Sequence, residues 1–220
     1  MVAVGARDTD LQRSSGIIRL DVGENGDLAR LREEGSAKLR MPARLPNMPL
    51  EAVLINTSGG LAGGDRFDVT VNAGGDACVT TQAAEKIYPS LGSETQVATT
   101  LRAEASARLC WLPQEAILFD GARLSRSFYA EVGNQARLLA VESVVLGRKA
   151  MGETLSEFSF RDCWRIRRGG RLVFADHVTL DGARVHGAAA LRGAGAMATL
   201  VLIDAQAECF LGPLRDAIGI

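Results

Sequence analysis

The chain has 220 residues, with 25 basic and 26 acidic side chains and a formal net charge of -1, so it lacks the basic excess of a nucleic-acid binder. Hydrophobic residues make up 47% and charged residues 23%, an ordinary globular composition in a chain long enough for one domain with a real core. No apolar run approaches the roughly 20 residues of a membrane helix and no charged start leads into an apolar stretch, which argues against a membrane span or a signal peptide and predicts a cytoplasmic protein.

Short apolar runs punctuated by 24 glycines predict a β protein. Residues 1–40, rich in glycine, alanine and charge, read as loops or edge strands. Strands are predicted over 50–57, 77–82, 95–101, 108–112 and 198–203. Phe67, Val69 and Val71 alternate with Asp68 and Thr70, the period of a strand with one face buried. Residues 81–90 could hold one short helix stopped by Pro89. Residues 136–146 fit a helix or a strand buried on both faces, and the β-branched residues of their second half favour the strand. Phe158, Phe160, Trp164 and Ile166 form another inward face opposite Arg161, Arg165 and Arg167. Gly169-Gly170 then predicts a tight hairpin into a strand over 172–180. Residues 183–195 read as a loop or edge strand, and Pro213 opens a helical turn over 214–218. No repeat of fixed period stands out.

Few residues point to chemistry. The segment 59–65, GGLAGGD, has the glycines of a phosphate loop but neither the lysine nor the following helix that such loops need, so a strand–turn–strand connection is the better reading. Asp65 at its end could face an interior channel or bond its own turn. Glu115 sits between apolar strands. Glu142 is one acid inside an apolar run and needs a partner, for which Arg137 and Arg148 are candidates. Asp176 and His177 offer oxygen and nitrogen donors suited to nickel, although adjacent strand residues point to opposite faces. The four cysteines, Cys78, Cys110, Cys163 and Cys209, form no C-x-x-C pair and read as buried free thiols. No catalytic constellation assembles, so the chain is not read as an enzyme.

Four segments in order, NTSGGLAGGD (56–65), TTQAAEKIY (80–88), WLPQEAILFDGA (111–122) and LLAVESVVLGRKAMGE (138–153), together resemble the urease accessory protein D family, also called UreD or UreH. The clear resemblance spans about residues 50–176. It implies a mainly β fold of stacked sheets, a β-helix-like single domain over 1–220 with few short helices. It implies a scaffold that works with UreF and the GTPase UreG on the urease apoprotein to insert nickel, conducting the ion through an internal passage without holding it tightly. On that basis Asp65, Glu115, Glu142, Asp176 and His177 are the expected transient nickel contacts. Family members usually continue for some tens of residues beyond the position of Ile220, so uncovered apolar surface is expected near the end of this chain. Two rivals stand beside this reading: a partner-binding β module that never touches metal, and a nucleotide-binding enzyme using the glycine segment, which requires a helix after Gly64.

Overall fold

The computed structural model describes residues 13–104, 106–182 and 191–219. Its strands, in chain order, are β1 (Ser15–Val22), β2 (Leu28–Gly35), β3 (Ala37–Arg40), β4 (Leu50–Asn56), β5 (Arg66–Ala73), β6 (Ala77–Thr81), β7 (Glu85–Ile87) and β8 (Thr95–Ala103). There follow β9 (Arg108–Leu112), β10 (Ala116–Leu118), β11 (Arg123–Val132), β12 (Arg137–Leu146), β13 (Ser159–Arg168), β14 (Arg171–Asp181) and β15 (Ala196–Ile203). Helix is confined to α1 (Leu211–Ile218) and two 3-10 turns, Lys149–Met151 and Ala207–Phe210.

The strands form two facing sheets. The first runs β14-β13-β11-β8-β5-β1-β2, and the second β3-β4-β6-β9-β12-β10-β7, with β15 also paired to β12. From β5 to β13 the chain passes alternately through one sheet and the other, and β1, β5, β8, β11 and β13 stack in parallel. Register partners such as Phe67 and Val97, or Leu109 and Leu138, lie roughly 30 residues apart, one turn of a wide coil. The coil therefore has a structural period that the sequence does not display. Only the inward alternation must recur from turn to turn, and many apolar side chains satisfy it.

That alternation builds the core in rows. Leu20, Val71, Leu101, Ala130 and Ile166 stand side by side across the first sheet, and each is buried. Across the gap, Ala52, Val79, Trp111, Ala140 and Val201 form the matching row of the second sheet. The mainly β, stacked-sheet, single-domain architecture is thus the one expected.

Several local expectations change. Residues 81–90 hold no helix but the short strand β7, because Glu85 to Ile87 find a parallel ladder on β10. The first forty residues are not only loops and edges: β1 lies inside its sheet between β5 and β2. The helix α1 begins at Leu211, before Pro213, and buries none of its residues; Leu211, Leu214 and Ile218 are exposed. Of residues 183–195, 183–190 lie outside the described residues. The Gly169-Gly170 hairpin is as expected, with φ of 54° and 79°, the left-handed values that a tight turn between antiparallel strands requires.

Candidate functional site

The second sheet contains a notch. Strand β6 stops at Thr81 and β7 resumes at Glu85; one turn of the coil later, β9 stops at Leu112 and β10 resumes at Ala116. The interruptions are Gln82-Ala83-Ala84 and Pro113-Gln114-Glu115, and Pro113 has no N–H with which to continue a ladder. On the next turn β12 runs through without a break, pairing with β9 at Arg137–Ala140 and with β10 at Val144–Leu146. Glu142 lies between those two stretches, opposite the notch.

The edges of the notch are stitched by side chain and backbone. Thr80 donates its hydroxyl to the Leu112 carbonyl at 2.7 Å, Gln114 N–H donates to Thr81 Oγ1 at 2.9 Å, and Glu85 N–H donates to the Glu115 carbonyl at 2.9 Å. The glycine segment closes one side. Leu61 bridges to Ile87, and Gly60 sits so close to the next segment that a Cβ there would lie 2.4 Å from the Tyr88 ring and 2.9 Å from the Lys86 carbonyl. Its φ of 146° is likewise a glycine conformation. Tyr88 meets Phe119 edge-on at 5.1 Å, and the Arg148 guanidinium stacks on Phe119 at 4.2 Å. All four segments that carry the family resemblance therefore converge on this one region.

Behind the notch lies a cavity of about 80 Å³, with room for a few waters. Its wall takes Leu61, Thr81, Glu85, Trp111, Gln114 and Glu142 from the four segments, and Thr99 and Arg126 from the first sheet. A second cavity of about 160 Å³, bounded by Asn56, Gly60 and Gln82 to Lys86, shares Phe67, Thr81 and Glu85 with it. Glu85 thus stands at the boundary between the two.

Glu142 is 4% exposed and held from two sides. Its Oε1 accepts the Trp111 Nε1–H at 2.9 Å, and its Oε2 lies 2.9 Å from Arg126 Nε. Two Arg126 donors point elsewhere: Nε and Nη2 donate to the two carboxylate oxygens of buried Asp162, at 3.1 and 2.6 Å. Glu142 Oε2 is therefore attracted by the guanidinium without receiving a hydrogen bond from it, and the buried Thr99 hydroxyl at the same cavity also has no protein partner. Burial pushes the Glu142 carboxyl above the usual range, and the Arg126 charge opposes that shift. Neither expected partner serves Glu142. Arg137 pairs with Asp204 at 3.1 Å, and Arg148 with Glu153 at 3.0 Å. Arg137 could not reach inward, because five positions along a strand put it on the opposite face.

The other candidates do not join Glu142. Asp65 is buried, with its oxygens taken by the backbone N–H groups of Ser14 at 2.7 Å and Ala62 at 2.8 Å, the turn-aspartate alternative. Glu115 is half-buried in the notch loop. Asp176 and His177 are exposed on the edge strand β14, with Asp176 accepting the His177 backbone N–H and His177 facing Thr179. None of these four borders either cavity. Among the described residues, no three His, Cys, Asp or Glu side chains gather where they could share a metal ion.

Sequence reasoning missed Arg126 and Asp162, and it missed that Glu85, a polar group of the segment 80–88 that could meet a partner, lines the cavities. The signal for two of them was present: Asp162 falls between Phe160 and Trp164 in the inward register, and Arg126 between Leu124 and Phe128. Glu85 is raised to about 7, first by burial, against the hydrogen bond from Asn56 Nδ2 at 3.0 Å and the nearby Lys86 charge. A carboxyl raised in the folded state binds protons that the unfolded chain has released, so its contribution to stability is complete at low pH and is lost as pH climbs towards 7. Glu85→Gln should therefore stabilise the protein by roughly 1–3 kcal/mol at pH 8 and far less at pH 5. Thermal melts at the two pH values decide this, and an equal effect at both contradicts it.

These features define a two-sheet β coil with a small, largely apolar cavity under one sheet, into which a few polar side chains, Glu85, Arg126 and Glu142 among them, are set. A family model described as UreD urease accessory protein matches residues 14–219. Urease accessory protein UreD of Rhizobium rhizogenes is 50% identical over 196 residues, covering 87% of this chain and 71% of that protein. UreD 1 of Brucella abortus is 46% identical over 217 residues (95% and 77%), and UreD of a Methylobacterium strain is 49% identical over 217 (94% and 77%). The chain belongs to the UreD urease accessory protein family, and its role lies in urease maturation. The nucleotide-enzyme rival fails on its own requirement, since the strand β5 and not a helix follows Gly64. No helix among the described residues is long and apolar enough to cross a membrane.

Proposed function

We propose that this protein is a non-catalytic cytoplasmic scaffold that works with UreF and UreG on the urease apoprotein, and that nickel, its cargo, passes through the notch cavity on the way to urease. The observation that carries this reading is the cavity itself. All four family segments wall it, and it presents one acid, Glu142, with an oxygen that receives no hydrogen bond, and a second, Glu85, that changes charge near neutral pH. Oxygen donors without a full coordination shell suit a hard or borderline ion that must be released again. Glu142 and Glu85 are the interior contacts. Asp65 shapes the glycine turn, and Glu115, Asp176 and His177 would meet nickel only at the surface.

The clamp of Arg126 and Trp111 on Glu142 favours one rival, a partner-binding scaffold that never touches the ion. Replacing Glu142 and Glu85 together by Gln keeps the shape and removes both charges. Nickel content and urease activity in cells should fall severalfold while co-purification with UreF, UreG and the urease apoprotein persists. Wild-type nickel loading by a stably folded double variant would leave the scaffold and remove the passage.

A further inference from the structure

The outer face of the second sheet carries a pair of thiols that sequence spacing does not reveal. Cys78 on β6 and Cys110 on β9 are direct register partners on adjacent parallel strands. Both are half-buried and alternate with fully buried neighbours, so their side chains leave the sheet on the same outward face. Neighbouring strands lie about 4.8 Å apart, inside the Cα separation that a disulfide spans. The two thiols face each other closely enough that each shifts the titration of the other. That contact lowers Cys110 to about 7, with help from the Arg108 charge two residues away and against burial and the Asp76 charge, while the same contact, burial and the Glu51 charge push Cys78 up. Arg108 is fixed in place by Asp76, which accepts its backbone N–H and its guanidinium Nε–H, both at 2.8 Å.

We propose that Cys78 and Cys110 form a reversible dithiol–disulfide pair, with Cys110 the thiol that reacts first with peroxide. The Cys110 thiolate attacks one oxygen of hydrogen peroxide; the O–O bond breaks, leaving a sulfenic acid on Cys110 and releasing hydroxide, which takes up a proton to become water. The Cys78 sulfur then attacks the Cys110 sulfur. The S–S bond forms, the sulfenic oxygen leaves as a second water with the Cys78 proton, and two electrons in total have passed from the thiols to peroxide. An external dithiol reverses the step by exchange. A thiol with a pKa near ambient pH is the better nucleophile of such a pair, and a neighbouring thiol protects the sulfenic acid from further oxidation. The bond would fasten successive turns of the coil just ahead of Thr80 and Leu112, where both strands reach the notch.

The test uses the full chain carrying Cys209→Ser, because exposed Cys209 would otherwise crosslink molecules. After peroxide treatment, peptide mapping without reductant should find Cys78 joined to Cys110, with two thiols lost and both restored by dithiothreitol. The pH midpoint of Cys110 alkylation should lie near 7 and rise by about one unit or more in Cys78→Ala. Oxidation of Cys110 to sulfinic acid with Cys78 still free overturns the proposal. So does a Cys110 midpoint that Cys78→Ala leaves in place.

Discussion

Arg126→Met should destabilise the protein by about 3–5 kcal/mol at pH 7, as removal of one member of a buried ion cluster does. Arg126, Glu142 and Asp162 are 8%, 4% and 1% exposed, so water cannot replace a lost partner. One guanidinium faces two carboxylates, and its loss leaves both buried without a counter-charge. The asymmetry gives the prediction its discrimination. Glu142→Gln leaves a one-to-one Arg126–Asp162 pair and an oxygen still able to accept from Trp111, so its effect should be much smaller. The pH dependence follows from the sign of the Glu142 shift. Burial already raises this carboxyl, and without Arg126 it rises further. The deficit of Arg126→Met should therefore shrink as pH falls and the acid becomes neutral. Adding Glu142→Gln and Asp162→Asn to Arg126→Met should restore part of the loss. Urea unfolding at pH 5 and pH 7 measures each variant, and a loss under about 1 kcal/mol for Arg126→Met at pH 7 would show that the charges are not buried as a unit.

Trp164→Ala should have an effect of the same size, about 3–5 kcal/mol, for a different reason. Trp164 is 1% exposed, stacks on Phe128 with ring centres 4.0 Å apart, and receives Phe174 edge-on at 6.2 Å. Truncation leaves a cavity bounded by rigid aromatic rings on neighbouring strands, which cannot collapse without breaking register. Trp164 also donates its Nε1–H to Asp162 Oδ2 at 3.1 Å. Trp164→Phe keeps most of the stacking and loses the donor, so it should cost roughly 1–3 kcal/mol. Denaturant midpoints separate packing from hydrogen bonding, and equal losses in the two variants would contradict this division.

The strand alternation at residues 67–71 and 158–166, the Gly169-Gly170 turn and the strand after the glycine segment were all legible, because each follows from dihedral preference and from which side of a single strand is apolar. Asp65 was legible only in part: its bond to the Ala62 N–H is the local one a turn aspartate makes, whereas its bond to Ser14 spans 51 residues. Strand β7 was not. Glu85-Lys86-Ile87 has no local preference strong enough to beat a helical turn, and what makes it a strand is the parallel ladder offered by β10, 31 residues further along. The central place of β1 was hidden for the same reason, its partner β5 lying 51 residues away.

The candidate site divides in the same way. Amino-acid sequence alone determined the family, the mainly β class and the oddity of a carboxyl at Glu142, since these depend on composition, period and ordered motifs. Tertiary structure alone decided that Arg126 and Asp162, and not Arg137 or Arg148, answer Glu142, that Glu85 stands between two cavities, and that Cys78 meets Cys110. The physical reason is the coil: each turn sets side by side residues roughly 30 positions apart and brings two sheets face to face, and no local preference of the chain encodes which charge or thiol will be waiting across that distance.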